Sequence, residues 1–320
     1  MKNRIRYIDL FCGIGGFRLA VEAAAARRGL EARCVFSCDI DKHCARAYAA
    51  NFGDVPVGDI AAVAAESVPD HELLVAGFPC QPFSIIGRME GFEDARGTLF
   101  FEIARIVAEK RPEALILENV KTLRGHNGGK TLERILGALT ELGYETDWRT
   151  LNALDFGLPQ KRERIWIVAT RDGGKMEWPS GAARMTPLAE LLEKDPPEKF
   201  FASERIRKKR LSSVARKSTE PMIWHENKSG NVSAHPYSCA LRAGASHNYL
   251  LVDGERRLTP REMLRLQGFP DRYKIECSDS QTRRQAGNSL PVNVAEAVAG
   301  GLFGALGWGR GGSSDAPGAR

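Results

Sequence analysis

The sequence predicts an α/β fold built on a mainly parallel sheet with helices on both faces, joined by a smaller, irregular region. Three observations carry this. The first half of the 320 residues alternates short apolar runs with helix-like stretches. The apolar runs carry β-branched residues and are closed by Gly or Pro. The alternation stops near Asp172, and helical periodicity returns only after Arg257. Strands separated by helical patterns imply crossover connections and therefore parallel pairing.

In chain order, "RYIDLF" reads as a strand and "FRLAVEAAAARRG" as a helix ending at Gly29. "ARCVFSCDI" is a strand, and "DKHCARAYAANFG" a helix ending at Gly53. "ELLVAGF" has the short, bounded apolar character of a strand covered on both faces. "TLFFEIARIVAEK" is a helix stopped before Pro112, "EALILENV" a strand and "KTLERILGALTELGY" a helix. "ETDWRTLNA" and "RIWIVATR" supply two further strands, and "TPREMLRLQGF" and "PVNVAEAVAGGLFGAL" two late helices. The late helices are apolar enough to pack on the first half. This gives a discontinuous domain over 1–171 and 258–308, a small domain over 172–257, and a disordered tail over 309–320.

The composition is that of a globular protein, with 43% hydrophobic and 27% charged residues. No apolar run reaches the length of a membrane span, and the start lacks a signal-peptide core, so a cytoplasmic protein is expected. Seven scattered cysteines fit free thiols in a reducing compartment. The net charge is +6 and the isoelectric point near 9.0. Residues 172–257 hold 15 Lys+Arg against 11 Asp+Glu, and within them "SERIRKKRLSSVARK" has seven basic residues and one acid. Most such runs are solvated faces; a polyanionic partner becomes the better explanation only if the rest of the chain requires one.

"DLFCGIGGF" follows the first strand and opens a helix, with Gly13, Gly15 and Gly16 where the backbone must turn tightly against a ligand. It is not the GxGxxG fingerprint, which disfavours a nicotinamide dinucleotide. Asp39 ends the second strand, in position to accept hydrogen bonds from a ribose diol, and Asp59 in "VGDI" suits an adenine amino group. Each feature alone is explained by a turn or a helix cap. Together and in this order they point to an adenosine-containing cofactor.

"VAGFPCQPFSIIGR" places Cys80 between Pro79 and Pro82, immediately after a strand. Two prolines stiffen this segment, and ligands of open α/β sheets bind at the carboxyl ends of strands. A lone cysteine is otherwise best read as a small buried apolar residue. Cys34, Cys38 and Cys44 with His43 lack the paired knuckle spacing of a zinc site, and no metal site is expected.

With "DLFCGIGGF", "GFPCQPFS", "GFEDARGTLFFEIARIV", "ENV", "LNALDFGLPQKRERI", "RRLTPREMLRLQGFP" and "GNSLPVN" in this order, the sequence resembles the DNA cytosine-5 methyltransferases of bacterial restriction-modification systems, over residues 5–170 and 256–300. The resemblance implies an S-adenosylmethionine-dependent, Rossmann-like catalytic domain, a small irregular target-recognition domain and a cytosine flipped out of double-stranded DNA as substrate. It implies that Cys80 adds to carbon 6 of the base, that Glu118 contacts ring nitrogen 3 and the amino group, and that Arg162 and Arg164 help hold the base and its phosphate. It assigns Phe11, Gly13, Ile14, Gly15, Gly16, Asp39, Ile40, Asp59, Ile60, Pro79, Leu99, Asn288 and Leu290 to the cofactor. Gln81, Ser84, Arg96, Arg205, Arg207, Lys208, Lys209 and Arg242 fall to DNA, with "QPFSIIGRMEGFEDARG" as a lid anchored by Arg96. A monomer is expected, with a restriction endonuclease as a separately acting companion.

The sequence departs from the family where many relatives carry a Thr-Leu pair, offering Cys239-Ala240-Leu241, and where Cys38 replaces a commonly polar residue. The nearest rival is a transfer-RNA cytosine-5 methyltransferase, whose relatives usually carry a "CFT" stretch that is missing here. A non-catalytic DNA-binding homologue is disfavoured by Cys80, Glu118 and Arg164 all being present. A redox or zinc protein built on the thiols ranks last.

Overall fold

The computed structural model describes residues 2–79, 99–214, 218–246 and 248–309. Its centre is a six-stranded sheet. The strands are β1 (Arg4–Leu10), β2 (Glu31–Cys38), β3 (Leu73–Gly77), β4 (Ala114–Val120), β5 (Glu145–Asn152) and, after the two-residue β6 (Gln160–Lys161), β7 (Glu163–Thr170). Their order is β2-β1-β3-β4-β7-β5. All but β7 run parallel; β7 lies antiparallel between β4 and β5. The strands expected from the sequence form, and β3 and the first four residues of β4 are apolar because both faces are covered.

The crossover helices are α1 (Gly16–Arg27), α2 (Lys42–Phe52), α3 (Leu99–Lys110) and α4 (Lys130–Glu141). Helix α2 starts at Asp41, whose side chain accepts from the His43 amide, and stops at Gly53 with φ of 80°, as a C-terminal glycine allows. Two apolar layers flank the sheet. One joins α1 and the late helix α9 (Val292–Ala305) to Tyr7, Val75 and Trp166; the other joins α3 and α4 to Ile8, Leu74 and Leu117.

Residues 172–257 are less irregular than expected. They contain α5 (Leu188–Leu191), α6 (Glu204–Leu211), β8 (Ile223–Glu226), β9 (Val232–His235), β10 (Ser238–Cys239) and β11 (Leu250–Val252). Strands β11, β8 and β9 form a small antiparallel sheet, while β10 pairs parallel with β6. Leu188, Leu191, Ile223, Leu241 and Val252 belong to the same continuous apolar layer as α1 and α9, so this part is seated on the large sheet domain. Helix α7 (Pro260–Leu266) begins with a capping box between Thr259 and Glu262. Glu262, fully buried, also takes both ends of the Arg256 guanidinium. The chain then adds α8 (Asp279–Asn288), which the hydrophobic pattern did not reveal, and α9. No helix among the described residues is long and apolar enough to cross a membrane.

The glycine-rich turn is where backbone geometry is tightest. Gly15 has φ of 81°, and a Cβ there would lie 2.2 Å from the Phe52 ring. Gly15→Ala combines a left-handed backbone with overpacking, and a loss of about 2–4 kcal/mol is expected in urea unfolding. A change under about 0.5 kcal/mol would show that neither constraint matters.

Candidate active site

The carboxyl ends of β1, β2, β3 and β4 open onto one crevice, and the site residues follow from those ends. After β1 the chain turns through Phe11, whose φ of 55° is costly for a side chain with a Cβ. Asp39, just after β2, fastens this turn: one carboxylate oxygen accepts from the Gly13 amide and the other from the Asp41 amide, each at 2.8 Å. Burial pushes the Asp39 carboxyl up, and these two amides oppose the shift. Each oxygen keeps acceptor capacity for a further donor. Beside Asp39, Ile40 is 77% exposed, which is unusual for a large apolar side chain and suits a flat apolar ligand face. Asp59 is exposed and caps a short helical turn through the Ala61 amide, while Ile60 is buried beneath it.

Distant residues complete this end of the crevice. A Cβ on Gly16 would come within 3.1 Å of the Leu290 and Ser289 side chains, so the loop after α8 lies directly against the glycine turn. Leu290 is buried and Asn288 exposed at the end of α8. Ile14 is held by its backbone, its carbonyl accepting from the Tyr273 hydroxyl at 2.9 Å. Tyr273 was not foreseen, because one aromatic residue in "FPDRYKI" carries no local sign of its long-range partner. Cys38 donates to the Gly58 carbonyl at 2.8 Å, and burial raises its thiol to about 12, so it stays protonated and acts as a packing group.

The other end is built on β3 and β4. Glu118 lies opposite Gly77 in the parallel register and is nearly buried. Its Oε1 meets Arg164 Nε at 2.9 Å, while Oε2 faces the open side of Gly77. Burial pushes the Glu118 carboxyl up, and Arg164 and Arg162 only partly offset this. Asn119, the next residue, donates to the Phe78 carbonyl at 2.9 Å and so fixes the chain leading to Pro79. Cys80, Gln81, Ser84 and Arg96 lie outside the described residues; Leu99 opens α3 beyond them.

Arg162 is bound within the protein. Its guanidinium is buried and donates to the carbonyls of Leu241, Gly287 and Ser289, so it fastens these loops together. Gln160 continues this fastening, accepting from the Leu241 amide and donating to Leu266 and Gln267. Backbone contacts therefore hold the segment Cys239–Leu241 in place. In the basic run, Lys208 pairs with Glu204 and Lys209 with Glu226, while Arg205 is exposed and makes no ion pair among the described residues. The Arg207 side chain is half-buried. Arg242 is exposed on the segment that leaves β10.

A sheet of this order, with an antiparallel strand second from its edge and a glycine turn facing a carboxylate, is a methyltransferase architecture. The chain aligns with the solved S. pombe Dnmt2 methyltransferase at a TM-score of 0.72, covering 95% of this chain and 99% of that one at 23% identity, which speaks to the fold. Residues 5–304 match the family model of the C-5 cytosine-specific DNA methylases. The chain is also 52% identical to the Type II methyltransferase M.NgoBI of Neisseria gonorrhoeae, over 91% of this chain and 90% of that one. It is 50% identical to M.HaeII of Haemophilus aegyptius, over 93% of each, and 39% identical to M.HhaI of Haemophilus parahaemolyticus. The chain belongs to the C-5 cytosine-specific DNA methylases. It is a DNA cytosine-5 methyltransferase of the restriction-modification type, and the transfer-RNA alternative is not favoured.

Proposed function

We propose that the enzyme uses S-adenosylmethionine to methylate carbon 5 of a cytosine turned out of double-stranded DNA, through a covalent bond between Cys80 and carbon 6. The observation that carries this is Glu118, a buried carboxyl with a raised pKa, in register with Gly77 three residues before Cys80.

The residues present fit the cofactor. The turn from Phe11 to Gly16 has no side chain at Gly13 and open space beside it, Asp39 has acceptor capacity for a diol, Ile40 offers an apolar face and Asp59 a carboxylate. Bound there, S-adenosylmethionine supplies an electrophilic methyl group. The chain does the rest. The Cys80 thiolate forms a bond to carbon 6, and the former double-bond pair moves to carbon 5. Glu118, protonated, donates to nitrogen 3 as charge develops on the ring. Arg164 fixes Glu118 Oε1 and leaves Oε2 for the base. Once carbon 5 carries its methyl group, loss of the carbon 5 proton to solvent re-forms the double bond and expels the thiolate.

Residues 172–257 are assigned the choice of DNA sequence, and a monomer in the bacterial cytoplasm, with an endonuclease as a separate companion, completes the reading. Bisulfite sequencing of DNA from bacteria expressing the protein should show protected cytosines within one short sequence. Uniform conversion would refute the reading.

DNA binding should depend steeply on salt, since each neutralised phosphate lowers the slope of log K against log salt by about 0.9. Removing the charges of Arg205 and Arg207 is expected to reduce that slope by about 2, and the already paired Lys208 and Lys209 to add little. An unchanged slope in the fourfold variant would return this helix to a merely solvated face.

A further inference from the structure

We propose that the target sequence contains a guanine read in the major groove by Arg242, with Tyr249 as the residue that positions it. This rests on the DNA-methylating activity and adds a base to its specificity.

A cleft of about 700 Å³ opens between the turn at 226–230 and the segment at 242–246, lined by Glu226, Asn227, Lys228, Arg242, Ser246 and Tyr249. The Arg242 guanidinium lies 4.8 Å from the centroid of the Tyr249 ring, and the Tyr249 hydroxyl accepts from the Arg242 amide at 3.0 Å. Tyr249 is itself buried, and His225 packs edge-on against it with centroids 6.3 Å apart. The backbone behind Arg242 is equally fixed. A Cβ on Gly287 would lie 2.4 Å from the Ala243 nitrogen, so α8 touches this segment directly, and Arg162 holds the preceding Leu241 carbonyl.

Arg242 makes no ion pair among the described residues. Glu226, the carboxylate lining the cleft, is engaged by Lys209 and the buried Arg210. The result is an exposed planar donor fork, oriented in advance by a buried ring and without an ion-pair partner among the described residues. Such a fork matches the O6 and N7 acceptors of guanine, whereas adenine presents a donor at the corresponding position. A phosphate contact would need the charge but not the stacking.

The test replaces each guanine of the methylated sequence in turn by 7-deazaguanine, which lacks N7, or by hypoxanthine, which keeps O6 and N7. For the wild-type enzyme, 7-deazaguanine at one position should lower kcat/KM by roughly 5- to 150-fold, while hypoxanthine there leaves it within a few-fold. Arg242→Ala should lose that sensitivity at that position alone and accept other bases there. Two results would overturn the inference: no position at which the sensitivity depends on Arg242, or an Arg242→Ala variant uniformly weaker on all sequences with a salt slope lower by about one, which marks a phosphate contact. An enzyme that methylates no DNA would instead strike the activity on which the inference rests.

Discussion

Cys80→Ser is expected to abolish methyl transfer, by about 10⁴-fold or more, while DNA and S-adenosylmethionine still bind. Deleting the nucleophile of a covalent catalyst costs on this order. A serine hydroxyl has almost no anion near neutral pH, whereas a thiol has a few per cent even when unperturbed. Extruding a base costs a few kcal/mol of unstacking and unpairing, offset by contacts in the pocket and along the backbone, and none of these contacts needs the sulfur. The wild-type enzyme should also be trapped on DNA bearing 5-fluorocytosine at the target position. There fluorine cannot leave carbon 5 as a proton would, and elimination of the thiolate stalls. The adduct should survive denaturation, need S-adenosylmethionine for full yield, and map by mass spectrometry to a peptide containing Cys80. Attachment at another cysteine, or full activity of Cys80→Ser, would sink the mechanism.

Glu118→Gln should cost about 10²- to 10⁴-fold in kcat/KM, the range of a general acid, and should also change the shape of the pH profile. Burial raises the Glu118 carboxyl, so its working protonated form persists above the ordinary carboxylate range and is lost as pH climbs through the raised pKa. Activity should therefore rise with pH as a thiolate forms and fall again as Glu118 ionises. The glutamine cannot ionise, so the falling limb should disappear while the rising limb remains. Glu118→Ala is a poorer probe, because it strands the Arg164 guanidinium beside a void. A falling limb unchanged in Glu118→Gln would assign that ionisation to another group.

Much of this protein was legible locally. The strand β3 and the start of β4 announce themselves because a sheet covered on both faces demands unbroken apolar runs, and α2 because Asp41 and Gly53 mark its two ends. The glycine turn and Asp39 could be paired on sequence alone, since each directly follows the carboxyl end of its strand. Helix α8 escaped notice because its buried face is Thr282, Gln285, Ala286 and Gly287, small or polar groups that give no hydrophobic period.

What the tertiary structure alone decided is the partnering of distant segments. Local periodicity marks β7 as a strand, yet nothing in it says that the strand enters antiparallel between β4 and β5, a choice made by pairing and packing far along the chain. Arg162 and Arg164, two apart, read as one face of one strand. The strand is interrupted at Arg162, between β6 and β7, so Arg162 is buried against the carbonyls of Leu241, Gly287 and Ser289 while Arg164 meets Glu118. The sequence by itself determined the chemistry of the residues and the order in which they reach the crevice. Which of two like-charged neighbours is buried among carbonyls and which meets Glu118 depended on where the desolvated guanidinium found acceptors, and those come from segments about 80 and 125 residues away.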